Sequence, residues 1–422
     1  MTIIQVFCIS RTRLENRIMS TSFVYHALGL RDQFYKRTRF LRGAVIIEIF
    51  PKPEAIRCPE CHSRSVEKRG TIRRDIRTIP IGSKPIFLRT IIQRVWCPFC
   101  QFVRQIKLSF SNKGKSYTKA FERYALDLSR LMTIKDIANH LKISWDTIKE
   151  IQKAYLKRRY KSIKLKNIKQ IAIDEISIGK GHQYLTIVMD LQTGRILHAE
   201  KGKGGDALKP FWQKIKASKA QIQAVSIDMS PAYLSAVIEN LPKVPIVFDR
   251  FHVVKLFNDK LSDFRRDLYN HLCDPNEQKL IKGTRWLLLK NPENLQGDKK
   301  EPERLQKALE INQPLSTVYY MKEELRQIWN QADKETGEKV ITNWINLANA
   351  SNIPMLTKFA KTLSIHKIRI LAYYDYAIST GPLEGTNNKI KTMKRQAYGY
   401  RDFEFFKLKL FDLHTKKYAL IG

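Results

Sequence analysis

The sequence predicts a chain of several domains, in which an α/β domain with a helical insertion follows a small β domain and a short α-helical domain. Three observations predict this order. Two Cys-x-x-Cys pairs flank strand-like sequence at residues 58–100, helical spacing dominates residues 117–153, and strand and helix patterns then alternate as βββαβαβ up to residue 248. With 422 residues, the chain is long enough for two to four domains.

The composition indicates a folded protein with a polyanionic partner. Hydrophobic residues make up 43% of the chain, and the formal net charge is +36 with a pI of about 9.9. Basic runs alternate with aromatic residues, which favours nucleic acid over a membrane surface. Charge alone leaves open a merely basic or ribosome-associated protein. No apolar run is as long as a membrane span, and apolar residues precede the first positive charge, so we expect an intracellular protein.

The first domain, residues 19–110, is predicted to bind zinc. Residues 1–18 stand apart from the rest of the chain, and we interpret them as an upstream extension of the reading frame. The two Cys-x-x-Cys pairs are separated by 35 residues with a hairpin pattern, and they supply the four thiolates that structural zinc requires. The alternative is two independent thiol pairs. His62 is expected to be a bystander. The predicted ligands are Cys58, Cys61, Cys97 and Cys100.

Residues 111–165 are predicted to form a helix-turn-helix domain. Helical spacing covers residues 117–131, Thr133 caps a second helix over residues 134–141, and a third helix begins near Ser144. An ordinary helical hairpin has the same short pattern, but the basic residues after the third helix favour a DNA reader. The side chains expected to contact DNA are Trp145, Lys149, Lys153, Arg158 and Arg159.

An acidic residue in the first strand of the α/β domain, whose first part is residues 166–272, is the central feature of the sequence. Asp174 lies among β-branched apolar residues, and an ionised carboxylate is rarely buried without a partner or a metal. Asp228 and Asp249 follow the fourth and fifth predicted strands. Ser230, with a proline after it, can cap the next helix and leave Asp228 for a metal, whereas Asp249 could simply cap its own helix.

A third acidic candidate lies in the last segment, residues 377–422. The preceding residues 273–376 are predicted to be a helical insertion with its own small core. Glu384 then lies in the first turn of a basic helix, where a carboxylate also favours the helix dipole. Three carboxylates from separate elements are nevertheless what a two-magnesium phosphoryl-transfer site requires. The polar residues predicted to support the site or hold DNA phosphates on this helix are Asn388, Lys389, Lys391, Lys394 and Arg395.

The motifs together resemble the ISL-three (ISL3) family of insertion-sequence transposases, from about Met19 to the C terminus. They are the cysteine pairs, the helix-turn-helix pattern, IDE at 173–175, IDM at 227–229, FDRFHV at 248–253 and LEGTNNKIK at 383–391. The resemblance implies an α/β ribonuclease-H-like catalytic domain in which the first strand lies beside the fourth. It also implies a DDE triad of Asp174, Asp228 and Glu384, with Asp249 and His252 as active-site support.

The resemblance also implies a function. The protein would bind the terminal inverted repeats of its own element, cut the DNA with Mg²⁺ or Mn²⁺ at the triad, and join the three-prime hydroxyls to a target, with zinc as a structural metal. The expected partners are double-stranded DNA, at the ends and the target, and further copies of the chain in a homodimer or higher oligomer. The expected location is the bacterial cytoplasm and nucleoid, with no membrane partner. A DNA-binding repressor or domesticated transposase, or a nuclease of the same fold, remains the alternative.

Overall fold

The computed structural model describes residues 23–179, 181–376, 378 and 381–414, so the predicted extension at residues 1–18 lies outside the described residues. The chain divides between Tyr155 and Leu156 into two compact units. Each unit contains one five-stranded sheet. In the described ranges, no helix is long and apolar enough to cross a lipid bilayer.

The sheet of the first unit contains the predicted hairpin. After a short helix α1 (Phe23–His26), the strands are β1 (Gln33–Leu41), β2 (Ala44–Pro51), β3 (Glu67–Ile81), β4 (Lys84–Cys97) and β5 (Phe102–Gln105). The strand order is β1-β2-β4-β3, and β5 pairs with β4. The antiparallel β3 and β4 are joined by a turn at Gly82 and Ser83. Because side chains alternate along a strand, Ile76, Ile86 and Leu88 reach a common core with β2.

Three helices follow this sheet, as the helix-turn-helix pattern predicts. They are α2 (Lys119–Leu128), α3 (Ile134–Leu141) and α4 (Trp145–Arg159). The side chains of Thr118 and Thr133 accept backbone N–H groups and cap α2 and α3. Lys142 ends α3 in the left-handed conformation, with φ of 52°, and so turns the chain towards α4. Buried side chains from all three helices form one hydrophobic cluster.

The sheet of the second unit has the expected neighbours. Its strands are β6 (Gln170–Gly179), β7 (Gln183–Asp190), β8 (Ile196–Lys201), β9 (Ala224–Ile227) and β10 (Ile246–Phe248). The order is β10-β9-β6-β7-β8, so the first strand of this sheet lies beside the fourth. The strands β6, β7 and β8 are antiparallel, whereas β9 runs parallel to β6 and to β10. Helices α5 (Lys209–Ser218), α6 (Pro231–Asn240) and α7 (Arg250–His271) follow β8, β9 and β10 and cover one face of the sheet.

The insertion is helical, but the prediction that it has its own core is wrong. Its helices are α8 (Pro275–Gly283), α9 (Arg285–Leu289), α10 (Glu301–Ile311), α11 (Gln313–Gln327), α12 (Lys334–Ala350) and α13 (Pro354–Leu371). The chain divides between α10 and α11 at Asn312, whose side chain caps α11. Phe257 of α7 makes edge-to-face ring contacts with Trp344 and Phe359. The insertion therefore extends the core that lies under the sheet.

The other face of this sheet is covered by the last two described helices, α14 (Gly381–Gln396) and α15 (Phe403–Phe411). Leu383 and Ile390 of α14 and Leu410 of α15 pack against β6, β7 and β8. Helix α14, which carries Glu384, therefore returns to the sheet that carries Asp174, although a long insertion separates them in the sequence.

Candidate active site

Two aspartates lie close together in the second unit, Asp174 midway along β6 and Asp228 one residue past the end of β9. The parallel strands β6 and β9 pair with Ala172 opposite Ser226. Asp174 lies two residues further along β6, and Asp228 lies two residues beyond Ser226, close enough to raise the pKa of Asp174. Glu175 faces the other side of the sheet, where its carboxylate lies 3.1 Å from Nζ of Lys203. The two aspartates are therefore neighbours, and Glu175 is not part of this pair.

Asp174 is a buried carboxylate with a hydrogen bond to each oxygen. Only 8% of the residue is exposed. Its Oδ1 accepts the backbone N–H of Glu175 at 2.7 Å, and its Oδ2 accepts the side-chain amide of Asn387 at 2.7 Å. Burial raises the pKa of Asp174, and this effect outweighs the lowering by both hydrogen bonds and by His252, while Asp228 raises the pKa further. A cation beside Asp174 would offset the cost of this buried charge.

Asp228 is a half-buried carboxylate, and one of its two oxygens accepts a hydrogen bond. Its Oδ1 accepts the N–H of Ser230 at 3.0 Å, across the turn that begins α6. The side chain of Ser230 makes no capping hydrogen bond, so the argument that Ser230 caps this helix in place of Asp228 is wrong. Burial raises the pKa of Asp228, and this effect outweighs the lowering by the hydrogen bond from Ser230 and by His252. The nearby carboxylate of Glu175 also raises the pKa of Asp228. Both aspartates therefore have a charged form that the protein alone disfavours.

Asp249 caps α7 and also contacts His252. Its Oδ1 accepts the N–H of Phe251 at 3.0 Å, as the helix-capping alternative predicts. Its Oδ2 lies 3.6 Å from Nε2 of His252, one turn further along the helix. His252 is close enough to Asp174 and Asp228 to lower the pKa of each. The Asp249 and His252 pair thus lies beside the two aspartates.

In the first two turns of α14, Glu384 is exposed, whereas Asn387 contacts the sheet. Leu383, Asn387 and Ile390 follow the i, i+4, i+7 spacing of one helix face, and Leu383 and Ile390 are buried against the sheet. Asn387 lies between them and donates its amide hydrogen to Asp174. Glu384 lies in the first turn and is exposed. Asn387 is therefore the residue that links this helix to the buried carboxylate.

The three predicted acidic ligands do not form one closed cluster in this structure. In the described ranges, the four cysteines are the one group of three or more His, Cys, Asp or Glu side chains whose ligand atoms all lie within 4.8 Å of one another. Sequence reasoning missed Asn387, although its spacing from Leu383 and Ile390 was a signal that could have found it. It lies one residue before Asn388, which was predicted instead and is exposed.

The basic residues of α14 do not all face the same way. Lys394 is half-buried and donates a hydrogen bond to the carbonyl oxygen of Ile178 in β6, and burial lowers the pKa of Lys394. In this structure Lys394 therefore anchors the helix to the sheet. The exposed residues of the predicted set are Asn388, Lys389, Lys391 and Arg395. Three of them, Asn388, Lys391 and Arg395, follow Glu384 along one helix face.

The four predicted zinc ligands come together in the first unit. Sγ of Cys58 lies 3.8 Å from Sγ of Cys100, and Sγ of Cys61 lies 3.5 Å from Sγ of Cys97. Four thiolates at about 2.3 Å from a tetrahedral zinc ion are about 3.8 Å apart, so this spacing fits one ion. His62 is not a member of the cluster, as expected. The hairpin of β3 and β4 brings the two pairs together because the second pair begins at the last residue of β4.

The shifted pKa values of the cysteine thiols also favour a bound cation. Burial raises the pKa of Cys58, but hydrogen bonds from the backbone of Cys61 and Glu60 lower it to about 6. Contact with Cys61, together with burial, raises the pKa of Cys100 to about 12. Crowded thiols thus resist becoming thiolates together. A divalent cation removes that repulsion, which supports structural zinc at this site.

The predicted DNA-reading helix is α4. Ile148 and Ile151 are fully buried and form its inward face. Trp145 is 55% exposed at the start of the helix. The remaining predicted contacts on this helix are Lys149 and Lys153, which are half-buried, and Arg158 and Arg159, which are exposed. Arg159 also lies 3.8 Å from Oδ1 of Asp412, so it has an acidic partner within the second unit.

Comparison with known proteins identifies the relatives of the chain. A model of the zinc-finger of transposases IS204, IS1001, IS1096 and IS1165 matches residues 54–100, and the helix-turn-helix domain of transposase family ISL3 matches residues 106–156. A transposase model of the DDE type from the same family matches residues 171–410. The chain is 32% identical to the transposase for insertion sequence element IS1001 of Bordetella parapertussis, over 86% of this chain and 90% of that protein. It is 28% identical to the transposase for IS1557 of Mycobacterium tuberculosis, over 85% of each chain.

A solved structure shows a weaker likeness. The Drosophila P element transposase strand transfer complex matches with a TM-score of 0.40 and 9% identity, over 71% of this chain and 92% of that chain. The family matches, in contrast, define a DDE transposase that binds DNA through its helix-turn-helix domain. The chain belongs to the ISL3 family of transposases.

Proposed function

We propose that the protein cuts and joins DNA at the terminal inverted repeats of its own insertion sequence, with Asp174, Asp228 and Glu384 as its metal-binding triad. The observation that carries the proposal is the proximity of Asp174, in the central strand β6, to Asp228, just past β9, under the helix that carries Glu384. A fold alone does not define a reaction. Buried Asp174 and half-buried Asp228, both with raised pKa values, in a family of transposases, support phosphoryl transfer.

The catalytic domain is proposed to be ribonuclease-H-like. Its sheet has three antiparallel strands followed by two parallel ones, in the order β10-β9-β6-β7-β8. This order supports the proposal because it sets β6, which carries Asp174, beside β9, which Asp228 follows. The return of α14 to the same sheet after the insertion supplies the third acidic residue.

The residues around Asp174 and Asp228 fit a divalent cation such as Mg²⁺ or Mn²⁺. Carboxylate and amide oxygens are the ligands that these hard cations prefer. Oδ1 of Asn387 is buried and has no hydrogen-bond partner among the described residues. A cation at this position would supply the missing partner. Asp174 and Asp228 would hold the cations, and Glu384 would join them when metal and DNA are bound. The bound cations would polarise the scissile phosphate and stabilise the charge that develops on the oxygens.

The chemistry requires no covalent intermediate on a protein side chain. In the cutting step, the oxygen of water bonds to phosphorus and the three-prime oxygen leaves, which frees a three-prime hydroxyl. In the joining step, that hydroxyl bonds to a target phosphorus and the target's three-prime oxygen leaves. The joining step forms one phosphodiester bond for the one that it breaks, and the proton of the attacking hydroxyl is balanced by the proton that the leaving three-prime oxygen takes up, so joining needs no external energy source. His252, held near Asp249, would orient the two aspartates during both steps.

The first unit and the basic helices are proposed to position the DNA. On α4, Trp145, Lys149 and Lys153 would read the repeat, while Arg158 and Arg159 would contact phosphates. On α14, the exposed residues Asn388, Lys389, Lys391 and Arg395 would contact phosphates near the site. Phosphate contacts supply affinity and register, and base contacts supply sequence choice. Pairing two element ends requires at least a homodimer, acting on DNA in the bacterial cytoplasm and nucleoid.

A strand-transfer assay on a plasmid that carries the element ends tests this proposal. With Mg²⁺, the wild-type protein should cut and join the DNA. Asp228→Asn should reduce both reactions by more than about 100-fold and still bind the ends, because asparagine keeps the acceptor for Ser230 but loses the charge. Asp206→Asn, an exposed acidic residue paired with Lys209, is the matched control and should remain active.

Three outcomes would overturn the proposal. Joining that persists in Asp228→Asn would remove Asp228 from the triad. Cutting without joining by the wild-type protein would indicate a nuclease. Binding of the ends with neither reaction would indicate a repressor or a domesticated transposase.

A further inference from the structure

Asn387 is the residue of α14 whose side chain hydrogen-bonds to Asp174, and neither the acidic triad nor the phosphate contacts give it a role. We infer that Asn387 is a metal-facing residue of the active site, whose amide nitrogen holds Asp174 while its carbonyl oxygen is directed to the divalent cation. This inference rests on the proposed metal site at Asp174.

The two ends of the Asn387 side chain have different surroundings. Nδ2 donates to Oδ2 of Asp174 at 2.7 Å. Oδ1 is buried and has no hydrogen-bond partner in the part of the chain that the structure describes. Buried amide oxygens in folded proteins nearly always have a donor, so this oxygen requires an explanation. A cation beside Asp174 provides one.

The orientation of the amide follows from the charge of its partner. An ionised carboxylate has acceptors only, so the amide nitrogen of Asn387 must face Asp174. The reversed amide would direct its oxygen at a carboxylate oxygen and would be repelled. Oδ1 is therefore the end left for another partner. Each Asp174 oxygen also has a second lone pair beyond its present hydrogen bond, so a cation can approach Asp174 without breaking either bond.

The sequence position of Asn387 places it beside the third triad residue. Glu384 lies three residues earlier, and residues with this spacing are neighbours on a helix surface. A cation held between Asp174 and the first turns of α14 would thus be within reach of both Glu384 and Asn387. An amide oxygen adds a hard ligand without adding another negative charge to a buried site that already contains Asp174 and Asp228.

A purely structural role predicts different surroundings. An asparagine that only fastens α14 to the sheet would have a hydrogen-bond partner for its carbonyl oxygen as well as for its amide nitrogen. The flanking residues Leu383 and Ile390 already bury the helix face through apolar contacts. The amide is therefore not needed to hold the helix.

Direct binding of Mn²⁺ tests the inference on the full-length, zinc-loaded protein. Free Mn²⁺ is measured by electron paramagnetic resonance during titration of the wild type, Asn387→Ala and Asn387→Asp. Thr392→Ala, an exposed change on the same helix, is the matched control. Asn387→Ala should weaken Mn²⁺ binding by about 10-fold or more. Asn387→Asp keeps an oxygen at this position and should bind Mn²⁺ at least as tightly as the wild type, and Thr392→Ala should match the wild type.

Two results would overturn the inference. One is wild-type affinity for Mn²⁺ in Asn387→Ala. The other is an equal loss in Asn387→Ala and Asn387→Asp, because donation from Nδ2 alone would then explain the effect. Asp174→Asn should abolish this binding. If it does not, the metal lies elsewhere and the proposed triad fails, which is a different result from failure of Asn387 alone.

The metal dependence of plasmid cutting separates a ligand role from a folding defect. In Asn387→Ala, the Mn²⁺ concentration for half-maximal cutting should rise, and the rate at saturating Mn²⁺ should recover to near the wild-type rate. A variant that is merely misfolded would not recover at high Mn²⁺. A low rate at every Mn²⁺ concentration would contradict the inference.

Discussion

At the scale of single residues, buried charge marks the proposed active site. Asp174 could be found from the sequence because an acidic residue in a β-branched, apolar strand contradicts the pattern around it. Asp228 and Glu384 needed the family motifs, because each also has an ordinary role at a helix start. Asn387 could not be separated from Asn388 without knowing which face of α14 meets the sheet, and that depends on tertiary packing.

Another buried residue, His198, makes folding stability dependent on pH. It is 1% exposed in β8, and its Nε2 hydrogen-bonds to the carbonyl oxygen of Ala207 at 2.8 Å. Burial lowers the pKa of His198 below the ordinary value of 6.5, more than the bond to Ala207 raises it. Below pH 6.5 the unfolded chain therefore binds more protons at this position than the folded chain, so stability falls as the pH falls towards the folded pKa.

We therefore predict that His198→Gln makes the free energy of unfolding less dependent on pH below pH 6.5. Between pH 6.5 and pH 5.5, the wild type should lose up to about 1 kcal/mol more unfolding free energy than the variant. Urea unfolding at several pH values measures this difference. Parallel curves for the two proteins over that interval would contradict the assignment.

At the scale of elements, the sequence predicts where a helix begins and which of its faces is buried, but it does not predict what that face packs against. Thr133 as a helix cap, the hairpin between the cysteine pairs and the buried face of α4 all follow from local sequence. The apolar stripes of the insertion were visible too, but a stripe does not reveal what it packs against, so the expected separate core was wrong. The division at Asn312 had a readable signal, because an asparagine cap precedes a proline in the first turn.

Zinc removal should affect the first unit and spare the second. The four cysteines connect the base of the β3 and β4 hairpin, and the second unit contains none of them. A zinc chelator should lower the melting temperature of the first unit and weaken binding to the element ends. Mn²⁺ binding at Asp174, measured after the chelator is removed, should remain within about twofold of the untreated value, since the two sites share no residues. Retention of full end binding after zinc loss would contradict a role of this domain in reading DNA.

At the scale of the whole molecule, the charge of +36 sets how strongly the protein holds DNA. Affinity that depends on phosphate contacts falls steeply with salt because DNA binding releases counterions. We expect binding to the element ends to weaken by about 10³-fold or more between 50 and 200 mM salt, the range for six or more phosphate contacts. Replacing both Lys389 and Lys391 by alanine should reduce the salt slope by about two.

Lys394 is the control for this measurement. Its ammonium group donates a hydrogen bond to the carbonyl oxygen of Ile178. Lys394→Met should therefore leave the salt dependence of DNA binding unchanged. A slope that falls equally in Lys394→Met would show that this lysine leaves the sheet to contact DNA. An unchanged slope in the double alanine variant would contradict phosphate contacts on the exposed side of α14.

The location of Mn²⁺ in a crystal of the full-length protein bound to an element end tests the central claim most directly. Anomalous scattering should place Mn²⁺ at about 2.1 Å from carboxylate oxygens of Asp174, Asp228 and Glu384, with α14 closed onto the two aspartates. Mn²⁺ bound by the two aspartates while Glu384 remains exposed and distant would contradict the proposed triad.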